Sequence, residues 1–279
     1  VDLHHVYGPD LYVYPVLRGL RRPVVYTVTT SLSAARQPSR RALQAIRTVV
    51  VSNSRDLATL QSWRVARPAL IRPGIDLSRF RVLPRRDPDG TFCVLAGSAP
   101  WTVRQFRSKG VEALLDAAVR LPSLSLVFLW RGLLLDEMRR RVARRGLQER
   151  VQIVAERVDV SALLAQVDAA VVLSAHPTLV KAFPHSLLEA LAAGKPVLVS
   201  RTIPMADYVE ETGCGLVVDG IGTGDVVAAL ERLRADYDPL QGRAAAGGGL
   251  DFAQSATVEA YQSVYAGAVA NKDRPGQTR

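Results

Sequence analysis

The stretch from Leu173 to Ser200, L-S-A-H-P-T-L-V-K-A-F-P-H-S-L-L-E-A-L-A-A-G-K-P-V-L-V-S, constrains the fold more than any other part of the chain. The apolar run Ala169 to Leu173 suits a strand buried on both faces of a parallel sheet. His176 to His185 reads as a loop. Ser186 is placed to cap a helix from Leu187 to Ala193, with Glu189 in its first turn. Gly194 suits the left-handed residue after a helix, and Pro196 blocks continuation and leads into a strand, Val197 to Ser200. A strand, helix and second parallel strand in that order aim the start of the helix at the crevice beyond the strand ends. Free backbone N–H groups bind phosphate there.

The same alternation runs through the chain. In the first part, Val24 to Val28, Thr48 to Ser52 and Ala69 to Ile71 read as strands, with helices at Arg40 to Arg47 and Asp56 to Arg64. In the second, strands are expected at Thr91–Ala96, Ser125–Trp130, Val151–Val154 and Gly215–Val218. Helices are expected at Val111–Arg120, Leu134–Arg145, Val160–Ala165, Ile203–Val209, Gly224–Ala235 and Phe252–Ala270. The fold class is therefore α/β with parallel sheets. The polar, turn-rich stretch Arg85 to Gly90 reads as a linker. It divides a domain of residues 1–84 from one of residues 85–250, followed by a helix over 251–270 and a disordered tail over 271–279.

Composition narrows the class. The apolar fraction of 48% can fill real cores. No apolar run reaches the roughly 18 residues that a membrane-spanning helix needs. The opening V-D-L-H-H-V-Y lacks the pattern of a signal peptide. Cys93 and Cys214 stand far apart in apolar surroundings, as buried free thiols do, which fits a reducing cytoplasm. The histidines show no metal-ligand spacing. The net charge of +10 comes almost wholly from arginine, with lysine only at 109, 181, 195 and 272. Either this is a coding bias displayed on solvated helix faces, or it attracts anionic partners: nucleotide diphosphates, a lipid phosphate or a membrane surface. Nucleic acid is not expected, because the arginines from Arg139 to Arg145 share one helix without interleaved aromatics.

The segment A-F-P-H-S-L-L-E-A-L-A-A-G-K-P-V resembles the donor-sugar signature of retaining GT-B glycosyltransferases of family 4. Weaker matches follow in the family's order: V-V-Y-T-V-T-T, V-V-V-S-N-S-R-D-L, I-R-P-G-I-D-L-S-R-F and S-K-G-V-E-A-L-L-D-A-A. The resemblance covers nearly the whole chain and implies two Rossmann-like domains. It aligns D-L-H-H-V-Y with the middle of the family's first domain, so that this domain is incomplete by roughly 70–90 residues for one of usual size. A fragment, a misplaced start and half of a two-chain enzyme, its second chain supplying the missing part, all remain open.

The resemblance also implies roles. Glu189 matches the family's second glutamate, which holds the ribose hydroxyls. Lys181 stands eight positions earlier, where the family has a glutamate beside the donor sugar. An ammonium there is no nucleophile at neutral pH, but it can hold a phosphate or an acidic sugar. Lys181 and His185 are the candidates nearest the chemistry. Lys109 matches the lysine on the donor pyrophosphate. Gly97 and Ser98 permit close backbone approach, while Arg104 or Arg107 takes over the charge of an arginine absent after Gly97. Arg157 and Val158 frame the base, and Ala182, Phe183, Ser186 and Leu187 shape the donor loop. Thr29 replaces a histidine near the sugar, and His5 sits at a strand end the family also uses. The implied activity moves a sugar from a nucleoside diphosphate sugar to an unknown acceptor with retention, without metal or other cofactor. The implied setting is cytoplasmic, with peripheral contact at the inner face of a membrane. The alternative is a module that binds the nucleotide without turnover.

Overall fold

The computed structural model describes every residue except 10, 12–16, 18, 34, 84–89, 131, 248 and 271–279. The expected linker and tail lie almost wholly outside the described residues. The chain divides into two compact units, residues 1–74 with 252–279, and residues 75–251.

The first unit carries a parallel sheet in the order β1-β2-β3-β4, formed by His4–Gly8, Val24–Val28, Thr48–Val51 and Pro68–Leu70. Val49, Val50 and Val51 are all fully buried, as expected of a strand covered on both faces. The helix Ser54–Ser62 is capped by Asn53, whose side chain accepts from the Asp56 N–H at 2.9 Å. The Asp56 carboxylate accepts in turn from Asn53 Nδ2 at 2.6 Å and from the Leu32 N–H at 2.9 Å. This ties the loop after β2 to the start of that helix.

The last helix, Gln254–Ala270, closes one face of this sheet with Tyr261, Val264, Tyr265 and Ala268. His5 is its anchor. Its Nδ1 lies 2.6 Å from Tyr265 Oη and its Nε2 lies 2.8 Å from Thr27 Oγ1, which also meets Tyr261 Oη at 3.0 Å. Both ring nitrogens are thus engaged within the unit, with the Tyr7, Tyr261 and Tyr265 rings around them.

Burial holds the His5 imidazole below its ordinary pKa. The unfolded chain takes up a proton near pH 6.5 while the folded chain resists it, so stability present above that pH is lost as the pH falls through it. The melting temperature should drop between pH 7.5 and 5.5. His5→Asn should cost about 1–3 kcal/mol at pH 7.5, the cost of partners left unpaired, and should shrink that drop. An equal pH dependence in both proteins would place the titrating group elsewhere.

The second unit carries six parallel strands: β5 Phe92–Ala96, β6 Leu124–Leu129, β7 Val151–Val154, β8 Ala169–Val172, β9 Val197–Ser200 and β10 Gly215–Val218. Their order is β10-β9-β8-β5-β6-β7. Phe92, Val94 and Ala96 face one core with Leu114, Leu115 and Leu230, and Cys93 and Leu95 are buried as well. The inner strands β5, β8 and β9 are short and apolar because both faces are covered, while the edge strand β7 exposes Gln152. The Asp168 carboxylate accepts from the Cys93 N–H at 2.8 Å and joins the starts of β5 and β8.

Two helices escape the sequence reading. Val103–Ser108 buries only Phe106 and is too short to show a period. Tyr237–Gly247 buries Tyr237, Leu240 and Ala244 at helical spacing, but Pro239 and Gly242 disguise it. Proline is tolerated there because it lies in the first turn.

The cap of the helix after β8 also differs from the expectation. That helix runs from His185 to Ala192 and its N-cap is Pro184, so Ser186 lies inside it and makes no cap bond. Pro184 fixes the backbone that Ser186 was expected to turn. Glu189 is consequently the fifth helical residue, two residues further in than expected. Gly194 does adopt the left-handed conformation, with φ of 71°.

Candidate functional site

In the second unit the chain runs outward from β5 through β6 to β7 on one side, and from β8 through β9 to β10 on the other. The strand order therefore reverses between β5 and β8. The crevice beyond the carboxyl ends of those two strands is where open α/β sheets bind ligands.

Several sequence candidates meet at that point. Gly97 follows β5, and its N–H donates to Val171 O of β8 at 3.2 Å. A Cβ on Gly97 would lie 2.4 Å from Ser186 Oγ and would force that side chain to move, so glycine lets the strand end approach the helix start this closely. Ser98 takes a left-handed φ of 69° and turns the chain away from the crevice floor. The helix Val103–Ser108 then returns the chain to Lys109, which is 7% exposed. Its Nζ donates to Ala99 O at 3.2 Å, bridging the two ends of the loop. Burial pushes the Lys109 ammonium below its usual pKa, a penalty that an anion would offset. The Ser108 carbonyl accepts from the Ala175 N–H at 2.7 Å, which fastens this segment to the loop after β8.

That second loop is held from behind. Thr202 Oγ1 donates to Ser174 O at 2.6 Å, the Ser174 N–H donates to Ser200 Oγ at 2.9 Å, and the Met205 N–H donates to Ala182 O at 3.1 Å. Ala182, Phe183 and Leu187 are buried, which leaves their backbone rather than their side chains to a ligand. The N–H groups of Leu187 and Leu188 turn back to Pro184 O. Those of His185 and Ser186 meet no acceptor among the described residues, and they are the donors a helix start offers an anion.

Lys181 is exposed and makes no hydrogen bond or ion pair among the described residues. The His185 pKa is lowered, first by partial burial of the ring and then by the neighbouring Lys181 ammonium. His185 and half-buried Glu189 lie four apart on one helix face.

Other candidates fall elsewhere. Arg104 and Arg107 line a groove of about 1240 Å³ with Ser108, Glu112, Asp116 and Thr223, and its walls do not include Gly97, Lys109 or Ser186. Arg157 and Val158 follow β7, two strands from β5 or about 10 Å across the sheet, a span of nucleoside size. In the first unit the Thr29 hydroxyl donates to Gly8 O at 3.2 Å. Cys93 and Cys214 are buried and in no disulfide. Among the described residues no helix is long and apolar enough to cross a membrane. Nor do three or more His, Cys, Asp or Glu side chains gather as a metal site.

A six-stranded parallel sheet with free helix-start N–H groups at its switch point defines an open α/β unit whose crevice can receive an anion. Residues 102–245 match the family described as Glycosyl transferases group 1, and the chain belongs to that family. It is 29% identical over 181 residues to the GDP-mannose:cellobiosyl-diphosphopolyprenol alpha-mannosyltransferase of Xanthomonas campestris, covering 62% of this chain and 46% of that protein. It is 32% identical over 129 residues to the lipopolysaccharide core biosynthesis glycosyltransferase LpsE of Rhizobium meliloti, covering 46% of this chain and 36% of that one. The chain thus spans less than half the length of either relative. Among solved structures, the sucrose-phosphate synthase of Thermosynechococcus elongatus matches with a TM-score of 0.75 at 20% identity, over 97% of this chain and 74% of that one. Anabaena HepE in complex with UDP and glucose matches with a TM-score of 0.68 at 19% identity, over 90% and 72%. These likenesses show the GT-B fold.

Proposed function

We propose that the chain serves the transfer of a sugar from a nucleoside diphosphate sugar to an acceptor hydroxyl, with retention of configuration. The observation that carries this reading is the convergence of Gly97, Lys109 and the start of the helix His185–Ala192 on one switch point. Lys109 and the His185 and Ser186 N–H groups hold the diphosphate, with Gly97 and Ser98 giving it close backbone approach. Glu189 accepts from the ribose hydroxyls, and Arg157 and Val158 frame the base. Lys181 and His185 face the sugar. The bond from the anomeric carbon to the leaving phosphate breaks as the acceptor oxygen bonds to the same face. The acceptor proton passes to the leaving phosphate, so no protein nucleophile and no metal takes part.

The names of the two relatives point to acceptors borne on lipid, and a lipid-borne acceptor agrees with peripheral attachment to a membrane. A second chain completing the first unit belongs to the same reading. One observation favours the alternative of a binding module without turnover: Lys181 carries a free ammonium where the family signature has a carboxylate.

The test incubates the protein with UDP- and GDP-sugars, neutral and acidic, and follows release of the nucleoside diphosphate and the anomeric configuration of the product by NMR. Turnover with retention is expected, with acidic sugars favoured and Lys181→Glu reversing that order. Nucleotide binding without turnover would leave the module reading. Absence of both would remove each of them.

A further inference from the structure

In the first unit, three adjacent parallel strands are each preceded by arginine. Arg21 and Arg22 stand before β2, Arg47 immediately before β3 and Arg67 immediately before β4. The register pairs Val25 with Thr48 and Val49 with Pro68, so these strand starts lie side by side. Arg40 from the helix Arg40–Gln44 and Arg64 from the turn after Ser54–Ser62 join them. The six arginines line one cavity of about 680 Å³ with no Asp or Glu in its wall. It opens at the amino-terminal edge of the sheet, the opposite end from the carboxyl edge where such folds usually bind substrates.

An arginine-rich composition alone does not account for this. The arginines of the helix Leu135–Arg144 and its end show the contrast, for they are paired with carboxylates. Arg139 meets Asp136, Arg140 meets Glu137, Arg141 meets Glu112 and Glu137, and Arg145 meets Glu112 and Asp116. In the cavity, Arg21, Arg22, Arg40, Arg47 and Arg64 form no ion pair among the described residues. Two of them also sit at a local cost. The Arg47 Nε is buried with no hydrogen-bond acceptor, a loss that folding alone would not favour. Arg64 has a φ of 54° at the end of the preceding helix, where its N–H donates to Gln61 O at 2.9 Å and the Val65 N–H to Leu60 O at 3.0 Å. This is the Schellman turn, whose left-handed position glycine fills without strain. Keeping arginine at such a place, aimed at a cavity without a counter-charge, is explained by what the guanidinium binds.

We propose that this cavity is a second ligand site, for a phosphate-bearing anion carrying more than one charge. Planar guanidinium forks bind phosphate oxygens in pairs, and several converging on one cavity select a multiply charged group over a single carboxylate. The volume suits a small-molecule ligand. Trp63 on the cavity wall offers an apolar flank beside the charge. The same chemistry is presented by a free polyphosphate and by a phospholipid headgroup.

The test uses the whole chain and two probes: inorganic tripolyphosphate by calorimetry, and phosphatidylcholine vesicles with and without phosphatidic acid by sedimentation. Arg64→Gly removes one charge and relaxes the turn, so it should fold at least as well as the parent. Arg47→Met removes the buried Nε. Each should weaken binding about tenfold or more, the usual loss for a hydrogen bond to a charged group. Arg139→Ala on the paired helix should bind as the parent does. Tripolyphosphate binding with that pattern establishes the site for a soluble anion. Binding confined to phosphatidic acid vesicles with the same pattern establishes it for a headgroup. No binding of either probe overturns the proposal, as does binding that Arg64→Gly and Arg47→Met leave unchanged or that Arg139→Ala weakens equally.

Discussion

Lys109→Ala should weaken binding of a nucleoside diphosphate about 10- to 100-fold, measured by calorimetry on the whole chain. A hydrogen bond to a charged group contributes about 1.5–3 kcal/mol, which converts to that range. Lys109 is 7% exposed as a residue, and its ammonium spends one N–H on Ala99 O, which leaves two donors for a ligand. Lys109→Arg should not restore affinity, because the larger fork does not fit a buried position shaped around a single ammonium. A strut that only ties the loop together would behave differently: the melting temperature would fall and the affinity would not. That outcome would remove the diphosphate role.

Gly110→Ala should destabilise the second unit by about 2–5 kcal/mol in urea unfolding, while Gly146→Ala should cost only about 1–2 kcal/mol. Both glycines are left-handed, with φ of 68° and 64°. They differ in what a side chain would meet. A Cβ at Gly146 has nothing within 4 Å, whereas one at Gly110 would lie 2.6 Å from both Cβ and Cδ1 of Leu173. Leu173 is 2% exposed in the segment leaving β8 and cannot move without shifting the switch-point loop. The comparison separates backbone strain from crowding at matched conformation. Equal losses at the two positions would mean that Leu173 yields freely and that the contact between the Lys109 loop and the β8 loop is slack.

The strands were legible because their chemistry is redundant. Val197–Ser200 stands where its apolar run places it, since a strand buried on both faces leaves no exposed position to confuse the reading, and the edge strands Val151–Val154 and Gly215–Val218 stand where their apolar residues place them even though Gln152 is exposed. The helix Val111–Arg120 was equally plain, its Lys-Gly start and 3.6-residue period agreeing. Helix starts were harder. A serine before a leucine looks like a cap, yet Pro184 takes that position and Ser186 instead packs against Gly97. That contact is between segments about ninety residues apart, which no local pattern reveals. The same limit hid the arginine cavity. Arg22, Arg47 and Arg67 are unremarkable in sequence, and only the parallel pairing of β2, β3 and β4 brings them together.

The first unit is discontinuous, since residues 1–74 are completed by residues 252–279 after the whole of the second unit has intervened. A ribosome delivers these pieces in that order. While residues 75–251 emerge and close their own core, β1 to β4 wait without Tyr261, Tyr265 and Ala268, and the face of Val25 and Val50 stands open to solvent. The nascent chain therefore closes its second unit first. Its arginine-lined unit is covered only once the helix Gln254–Ala270 has emerged. Premature termination anywhere in Gln254–Ala270 would release a polypeptide with a finished second unit joined to an uncovered sheet, the kind of surface that chaperones and proteases recognise.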